Sequence, residues 1–353
     1  KLCQDLKKKV NNWLNSASFV NLEQKLRTKL NSTEEIQVII QTDLDEVRRL
    51  PWNLWDFFDD YPHAVLCLSK PDFERLDNNY NYKPSQDKIR ILAILGNSEN
   101  IDIQEDRATL ENLPGAETTF LVEAQRQELD LMLWDNRGWD ILFFAGHSSS
   151  HGNGATGRIY INKDDSLTIE QLKNGLRAAI SRGLRLAIFN SCDGLGLATQ
   201  LASLHIPQMI VMREPVPDLV AQRFLQFFLS AFSESKSFYR AVREAGEKLQ
   251  GLEAEYPGAS WLPIICEHPT IKPMEWKLPV NSSWKSLRTL LLASLLITSL
   301  VVGVRRLGFL QKWELQAYDL LMRSRPDEGP SERLLVVGIR ETDFQLPEQK
   351  DRK

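Results

Sequence analysis

The chain has 353 residues, of which 42% are hydrophobic and 25% charged, and its 43 basic and 47 acidic residues give a formal net charge of −4. At about 150 residues per domain, this length predicts two domains with connecting segments. The ordinary composition excludes collagen-like and disordered classes. Because the charge is nearly balanced, no overall field attracts the chain to nucleic acid, and we expect no nucleic-acid partner.

The four cysteines, Cys3, Cys67, Cys192 and Cys266, lie far apart and form no CxxC pair. This spacing argues against a disulfide scaffold and against a zinc ribbon, so we expect single thiols in a reducing compartment and neither a metal nor a cofactor. The sequence begins at Lys1 without the apolar run of a signal peptide. We therefore expect a piece of a longer protein.

Residues 1–87 predict a helical and mixed N-terminal region. Apolar residues at helical spacing in 1–34 indicate a packing face. Apolar or aromatic segments follow at 36–41, 50–59 and 64–69. The polar stretch 77–88 contains no aliphatic side chain, which predicts a linker.

Between residues 88 and 268, strand-like apolar runs alternate with helical patterns, which is typical of a mainly parallel α/β sheet. Six strands are predicted, at 89–96, 118–123, 139–146, 184–191, 208–213 and 261–267. One intervening helix begins with a capping box of Thr168 and Gln171, and further helices are predicted at 217–232 and 236–250. Since such strands need cover on both faces, we expect a six-stranded sheet flanked by helices.

The segment between Arg288 and Arg305 contains no charged residue. At about 1.5 Å per residue it covers roughly 24 Å, short of the ~30 Å hydrocarbon core of a bilayer. The flanking Trp284 and Trp313 extend it into the membrane interface. The pattern predicts a transmembrane helix over 286–304, with a buried core helix as the alternative, and the flanking charges leave its orientation open.

Two chemically active side chains follow predicted strands. His147 comes directly after the strand that ends at Gly146, and Cys192 after the strand that ends at Ser191. Catalytic groups in open α/β sheets lie at the carboxyl ends of strands. If these strands are neighbours, the imidazole and the thiol form a base and nucleophile pair. The alternative for each residue alone is structural, a small buried thiol or a polar cap.

Two further interpretations of this region are weaker. His151 is a second candidate base, but it lies four residues beyond His147, the residue at the strand end, in a predicted Gly-Asn-Gly loop. Its spacing from His147 suits a metal ion only on a helix, which the Ser and Gly neighbours disfavour. Phosphate binding at the turn 194–196 is also disfavoured because Thr199 stands where the third glycine of the dinucleotide motif belongs.

The motifs Phe144-AGHS-Ser149 and Phe189-NSCDG-Leu195 resemble the His and Cys motifs of CHAT domains, bacterial relatives of caspases and separase. The downstream CHAT pattern consists of an acidic residue, an aromatic pair and a helix. Residues 216–218, 227–228 and 241–246 resemble these three features in that order. The likeness covers about 88–268. It implies a caspase-like fold and a cysteine endopeptidase that cleaves protein substrates.

Carried over residue by residue, the resemblance makes His147 the base and Cys192 the nucleophile. The backbone N–H groups of Ser148 and Cys192 would form the oxyanion hole. Most relatives have glycine after the histidine, but Ser148 keeps a backbone N–H, so the hole can persist.

A substrate pocket is also implied by the resemblance. Asn190 would line the pocket for the residue preceding the scissile bond. Asp218 and Glu214 would pair with a basic substrate side chain in its floor. An N-cap role is the alternative for Asp218, because aspartate is a preferred capping residue.

The whole chain most resembles cyanobacterial HetF-type proteases of heterocyst differentiation, in which a CHAT domain adjoins a membrane-anchored CHASE2 sensor. The segments 315–326 and 334–339 resemble the start of that sensor. The predicted order is an N-terminal region 1–87, a protease domain 88–268, a linker 269–285, a membrane helix 286–304 and a truncated CHASE2 domain 305–353. The family places the protease in the cytoplasm.

The alternative function is a catalytically silent peptide-binding module that couples the sensor to a partner, and the oligomeric state is open.

Overall fold

The computed structural model describes residues 2–71, 88–97, 103–151, 156–191, 194–276, 284–308 and 311–326. The chain forms two compact units, Lys1–Val280 and Asn281–Lys353. The strands are β1 Ile36–Gln41, β2 Ala64–Ser69, β3 Ile89–Leu95, β4 Ala116–Val122, β5 Ile141–Ala145, β6 Ser148–His151, β7 Thr156–Tyr160, β8 Ser166–Thr168, β9 Leu186–Asn190, β10 Gln208–Met212 and β11 Pro263–Glu267.

The α-helices of the first unit are α1 Leu2–Leu14, α2 Val20–Lys29, α3 Asp45–Arg48, α4 Phe57–Asp60, α5 Gln104–Glu111, α6 Arg126–Leu133, α7 Ile169–Ser181, α8 Gly194–Ala202, α9 Asp218–Ser233 and α10 Phe238–Lys248. The second unit contains α11 Trp284–Arg306 and α12 Gln311–Arg323. Short 3-10 turns occur at Trp52–Leu54, Leu249–Leu252 and Ala259–Trp261.

One eight-stranded sheet, in the order β1-β2-β11-β10-β9-β5-β3-β4, forms the centre of the first unit. Neighbouring strands are parallel except for β10 and β11, which are antiparallel. Strands β1, β2 and β11 therefore run opposite to the other five. The mixed α/β class and all six predicted strands are confirmed, but the strand count is wrong by two. The fully buried β2 pairs with β11 and brings β1 into the sheet.

Helices cover both faces of this sheet, as the buried strands require. One face packs against α1, α6, α7 and α8, and the other against α5, α9 and α10. Side chains of β3 alternate between the two cores, with Leu92 and Ile94 on one side and Ile91 and Ala93 on the other. The predicted capping box is present, since the side chains of residues 168 and 171 bond each other's backbone N–H.

A small antiparallel sheet of β6, β7 and β8 follows the carboxyl end of β5. The sequence did not predict it, because the Ser-rich β6 has no apolar alternation. The expectation of a loop at His151 is therefore wrong. His151 is the last residue of β6, where its backbone pairs with Thr156.

The second unit contains one helix, α11, that is long and apolar enough to cross a membrane by length and composition. Its candidate span is Thr289–Arg306, and none of that span is buried against the described chain. Its leucines are exposed, with Leu290 at 69%. The core-helix alternative is not supported within the described residues, because a core helix would bury these side chains.

Candidate active site

The carboxyl ends of β5 and β9 lie side by side, as the sequence interpretation requires. The two strands are parallel neighbours, and Ala145 at the end of β5 is the register partner of Asn190 at the end of β9. Adjacent strands lie about 4.8 Å apart. The chain segments that leave these two strands therefore start from the same edge of the sheet.

Gly146 turns the chain from β5 towards His147. Its φ angle is +149°, a value that side chains disfavour. An added Cβ would lie 3.3 Å from the Cα of Gly96 and 3.3 Å from a ring carbon of Phe144. Only glycine fits this turn without displacing the adjacent strand.

His147 is half-buried and is held by its backbone. Its carbonyl oxygen accepts a hydrogen bond from the N–H of Tyr160 at 3.0 Å, which ties it to the end of β7. Ser148 is the first residue of β6 and pairs with Ile159. Along β6, His151 lies about 10 Å beyond Ser148 at ~3.3 Å per residue. The side chain of His151 lies outside the described residues.

Ser191 follows the end of β9 and is buried. Cys192 and Asp193 lie outside the described residues, and the chain is described again from Gly194, the first residue of α8. A Cβ on Gly194 would lie 2.5 Å from the carbonyl oxygen of Met212. Helix α8 therefore begins in direct contact with the backbone of β10.

A small pocket lies at the carboxyl ends of β5 and β9. Its lining residues are Asp106, Ala145, Gly146, Asn190, Ser191, Val216, Asp218, Ala221 and Gln222. It leaves about 20 Å³ for solvent, enough for roughly one water molecule. The Oδ1 atom of Asn190 and the Oγ atom of Ser191 are buried there without a hydrogen-bond partner among the described residues. Unsatisfied buried oxygens are costly, so this pocket is suited to receive a donor.

Two acidic residues grouped by the sequence prediction are separated in the structure. Asp218 lines the pocket as the first residue of α9. The N-cap of that helix is Pro217 and no side chain caps it, so the capping alternative for Asp218 is wrong. Glu214 does not line the pocket. Its carboxylate lies 3.1 Å from the guanidinium of Arg49, and its side chain is 45% exposed.

Asp106 is a pocket residue that the sequence analysis missed. It lies in the first turn of α5, lines the pocket and is only 2% exposed. Buried carboxylates are rare unless they are paired or have a role. The sequence offered one signal for Asp106, because it is an acidic residue in the segment that follows β3, and β3 pairs with β5. The ordinary amphipathic pattern of α5 gave no reason to single it out.

None of the three cysteines that the structure describes lines this pocket. Cys3, Cys67 and Cys266 are free thiols, and the latter two are buried. Burial raises the pKa of the Cys266 thiol to about 12. Burial and the nearby carboxylate of Glu267 also raise the pKa of Cys67. Neither buried thiol is suited to act as a nucleophile near neutral pH.

The family model described as the CHAT domain matches residues 60–283. This chain belongs to the CHAT domain family. The CHASE2 domain model matches residues 295–352, after the end of the CHAT match. A comparison with curated protein sequences finds no match.

Solved structures similar to this CHAT protein include a cysteine proteinase and two caspases. The Arg specific cysteine proteinase gingipain R (RGPB) aligns with a TM-score of 0.44 and 10% identity, covering 73% of this chain and 68% of its own. The Drosophila initiator caspase Dronc aligns with a TM-score of 0.35 and 8% identity, and the alignment covers 51% of this chain and 81% of the caspase. Caspase-1 from Spodoptera frugiperda aligns with a TM-score of 0.35 and 13% identity, and the alignment covers 55% of this chain and 91% of the caspase.

Proposed function

We propose that this CHAT protein is a cysteine endopeptidase with His147 as the general base and Cys192 as the nucleophile. The observation that carries the proposal is the pairing of Ala145 with Asn190. His147 stands two residues after the first of these partners, and Cys192 stands two residues after the second. Equal spacing from one pair of register partners favours an imidazole and a thiol at the same edge of the sheet.

In this mechanism the imidazole of His147 takes the proton of the Cys192 thiol, and the thiolate attacks the carbonyl carbon of the scissile bond. The backbone N–H groups of Ser148 and Cys192 donate to the oxyanion that forms. The amide C–N bond then breaks, and the departing amine takes the proton from His147. Water activated by the same imidazole hydrolyses the thioester and restores the thiol.

The pocket beside this pair supports a preference for a basic residue before the scissile bond. Asp106 and Asp218 supply two carboxylates to its lining, and Asn190 supplies an unsatisfied acceptor. Carboxylates bind an arginine side chain through charge-assisted hydrogen bonds. Because only about 20 Å³ is open, we propose that the pocket widens when substrate binds.

The second unit supports a membrane-tethered form of this enzyme. Helix α11 has the length and apolar character of a membrane span, and the CHASE2 match covers residues that follow its start. We propose that α11 anchors the chain with the CHAT domain on the cytoplasmic side. A HetF-type signalling role in cell differentiation is the corresponding biological proposal, resting on the motif resemblance.

The proposal is tested by incubating the full chain, in detergent, with a peptide library and analysing the products by mass spectrometry. Cleavage after arginine or lysine that requires Cys192 supports it. Binding of peptides without any cleavage, in the wild-type chain and in Cys192→Ala alike, would instead support the silent peptide-binding module.

A further inference from the structure

A larger cavity of about 800 Å³ lies in the same unit, away from the candidate active site. It is lined by the carboxyl ends of β2 and β11, at Ser69 and Glu267, and by one side of α8. Because β2 and β11 run opposite to β5 and β9, these carboxyl ends lie at the opposite edge of the sheet. Ligand sites in open α/β sheets commonly lie in a crevice outside the carboxyl ends of strands.

A buried guanidinium forms one wall of this cavity. Arg48 is 7% exposed. Its Nε donates to the carbonyl oxygen of Thr42 at 2.9 Å, and a terminal nitrogen donates to Oγ1 of Thr199 at 2.6 Å. Among the described residues, Arg48 forms no ion pair with a carboxylate. A buried charge is normally paired, and within the part of the chain that the structure describes Arg48 has no counter-ion.

A second cation faces the same cavity. Lys70 follows the end of β2 and is half-buried. Burial and then the charge of Arg48 lower the pKa of Lys70, against a smaller opposing effect of Asp43. Lys70 has no ion pair within the described part of the chain. Two cations that disfavour each other would both be stabilised by one doubly charged anion.

We propose that this cavity binds a phosphate monoester of nucleotide size. A phosphate monoester carries a charge of about −1.5 to −2 at pH 7, opposite in sign to Arg48 and Lys70, while one exposed carboxylate, Asp43, also lines the cavity. The planar guanidinium of Arg48 suits phosphate oxygens. The rest of the lining includes apolar side chains that can contact the body of such a ligand, among them Leu68, Leu195 and Met209. The cavity volume lies within the range of small-molecule sites.

The hydrogen bond between Arg48 and Thr199 connects this site to α8. Thr199 also donates to the carbonyl oxygen of Leu195 in the first turn of the helix. A ligand that holds Arg48 should therefore stabilise α8, whose first residue, Gly194, comes two positions after Cys192 in the sequence. The binding itself requires no proteolysis, so it can be measured whether or not the chain is an endopeptidase.

The test uses the full chain in detergent and measures binding of adenosine 5′-monophosphate by calorimetry, with adenosine as the uncharged comparison. We expect the monophosphate to bind and to slow hydrogen exchange at the backbone amides of 195–202, and adenosine to bind at least tenfold more weakly. Inorganic phosphate should compete with the monophosphate.

The main variant is Lys70→Met, because a half-buried lysine can be replaced with less risk to folding than Arg48. We expect at least tenfold weaker binding of the monophosphate with an unchanged melting temperature of the free chain. Lys25→Met, which removes an exposed lysine of α2, is the matched control and should bind as the wild type does. Equal binding of adenosine and its monophosphate, no binding of either, or full affinity in Lys70→Met would each overturn the proposal.

Discussion

Ala145 and Asn190 are register partners on the adjacent parallel strands β5 and β9. The two candidate catalytic residues, His147 and Cys192, each stand two positions farther along the chain. The same spacing does not hold for His151, which lies at the far end of β6. Strand register therefore gives a physical reason to prefer His147 as the base.

The first prediction concerns the catalytic pair. Cys192→Ala and His147→Ala should each reduce peptide cleavage by at least a thousandfold, because neither group acts without the other. Rates are measured with the best substrate from the library, and circular dichroism checks that each variant folds.

His151→Ala is the matched control for this pair and should keep most of the activity. The assignment would be reversed if His151→Ala abolished cleavage while His147→Ala stayed active. Retention of full activity in Cys192→Ala would remove the cysteine mechanism altogether.

The second prediction concerns thiol reactivity. Iodoacetamide at pH 7 should modify Cys192 rapidly, because a cysteine beside a histidine is readily ionised. Cys67 and Cys266 should stay unmodified in the folded chain. With its pKa raised to about 12 by burial, only on the order of 10⁻⁵ of Cys266 is thiolate at pH 7. Because the pKa is raised, the thiolate fraction of Cys266 becomes substantial only when the pH approaches about 12.

Peptide mass spectrometry after short labelling times gives the rate at each site. A Cys3→Ser background removes the half-buried N-terminal thiol. His147→Ala should slow the labelling of Cys192 and leave Cys266 unchanged. Labelling of Cys192 no faster than in the urea-unfolded chain would contradict a histidine-activated thiol.

The third prediction concerns the acidic pocket. Asp218→Asn and Asp106→Asn should each reduce cleavage after arginine by about a hundredfold, since removal of one partner of a buried charged pair costs several kcal/mol. Glu214→Gln should change the rate less than about twofold, because its carboxylate faces Arg49 outside the pocket. Profiles of the three variants on one peptide library make the comparison. A wild-type preference for aspartate or for aliphatic residues would exclude a basic-specific pocket.

The fourth prediction concerns α11. The full chain should sediment with membranes and resist extraction by high salt and alkaline carbonate, because its candidate span is uncharged from residue 289 to residue 304. Replacing Leu292 and Leu296, both exposed, with lysine should release the chain into the soluble fraction. A wild-type chain that stays soluble without detergent or lipid would contradict the anchor.

Much of the fold follows from local sequence signals, but the pairing of strands does not. The six predicted strands and the capping box of Thr168 could be recognised because each is set by residues that are close together in the sequence. In contrast, β2 joins the sheet by pairing Cys67 with Ile265, almost two hundred positions away in the chain. No local pattern encodes such a contact. The polar stretch after Ser69 therefore resembled a domain boundary, although the strands on both sides belong to one sheet.

The pocket illustrates the same limit. Asp218 and Glu214 are close in sequence, yet the turn that starts α9 at Pro217 sends one carboxylate into the pocket and leaves the other near Arg49. Asp106 reaches the same pocket from another helix. The type of residue was readable from the sequence, whereas the direction of each side chain depends on packing between distant elements.

The fifth prediction concerns the close contact between α8 and β10. Gly194→Ala would place a Cβ 2.5 Å from the carbonyl oxygen and 2.7 Å from the nitrogen of Met212. Both are backbone atoms in a buried strand, so the start of α8 must move. Such overpacking typically costs ~1–3 kcal/mol, and we expect the melting temperature to fall by several degrees. Because α8 begins two residues after Cys192, cleavage should decrease more than stability alone explains.

Gly251→Ala is the matched control, because a Cβ there meets no atom within 4 Å. It should change the free energy of unfolding by no more than about 0.5 kcal/mol and leave cleavage unchanged. Both variants are compared at a temperature where each is fully folded, so that a lower rate reports a displaced helix and not a smaller folded fraction. Gly194→Ala with wild-type melting temperature and wild-type rate would show that α8 does not need its contact with Met212.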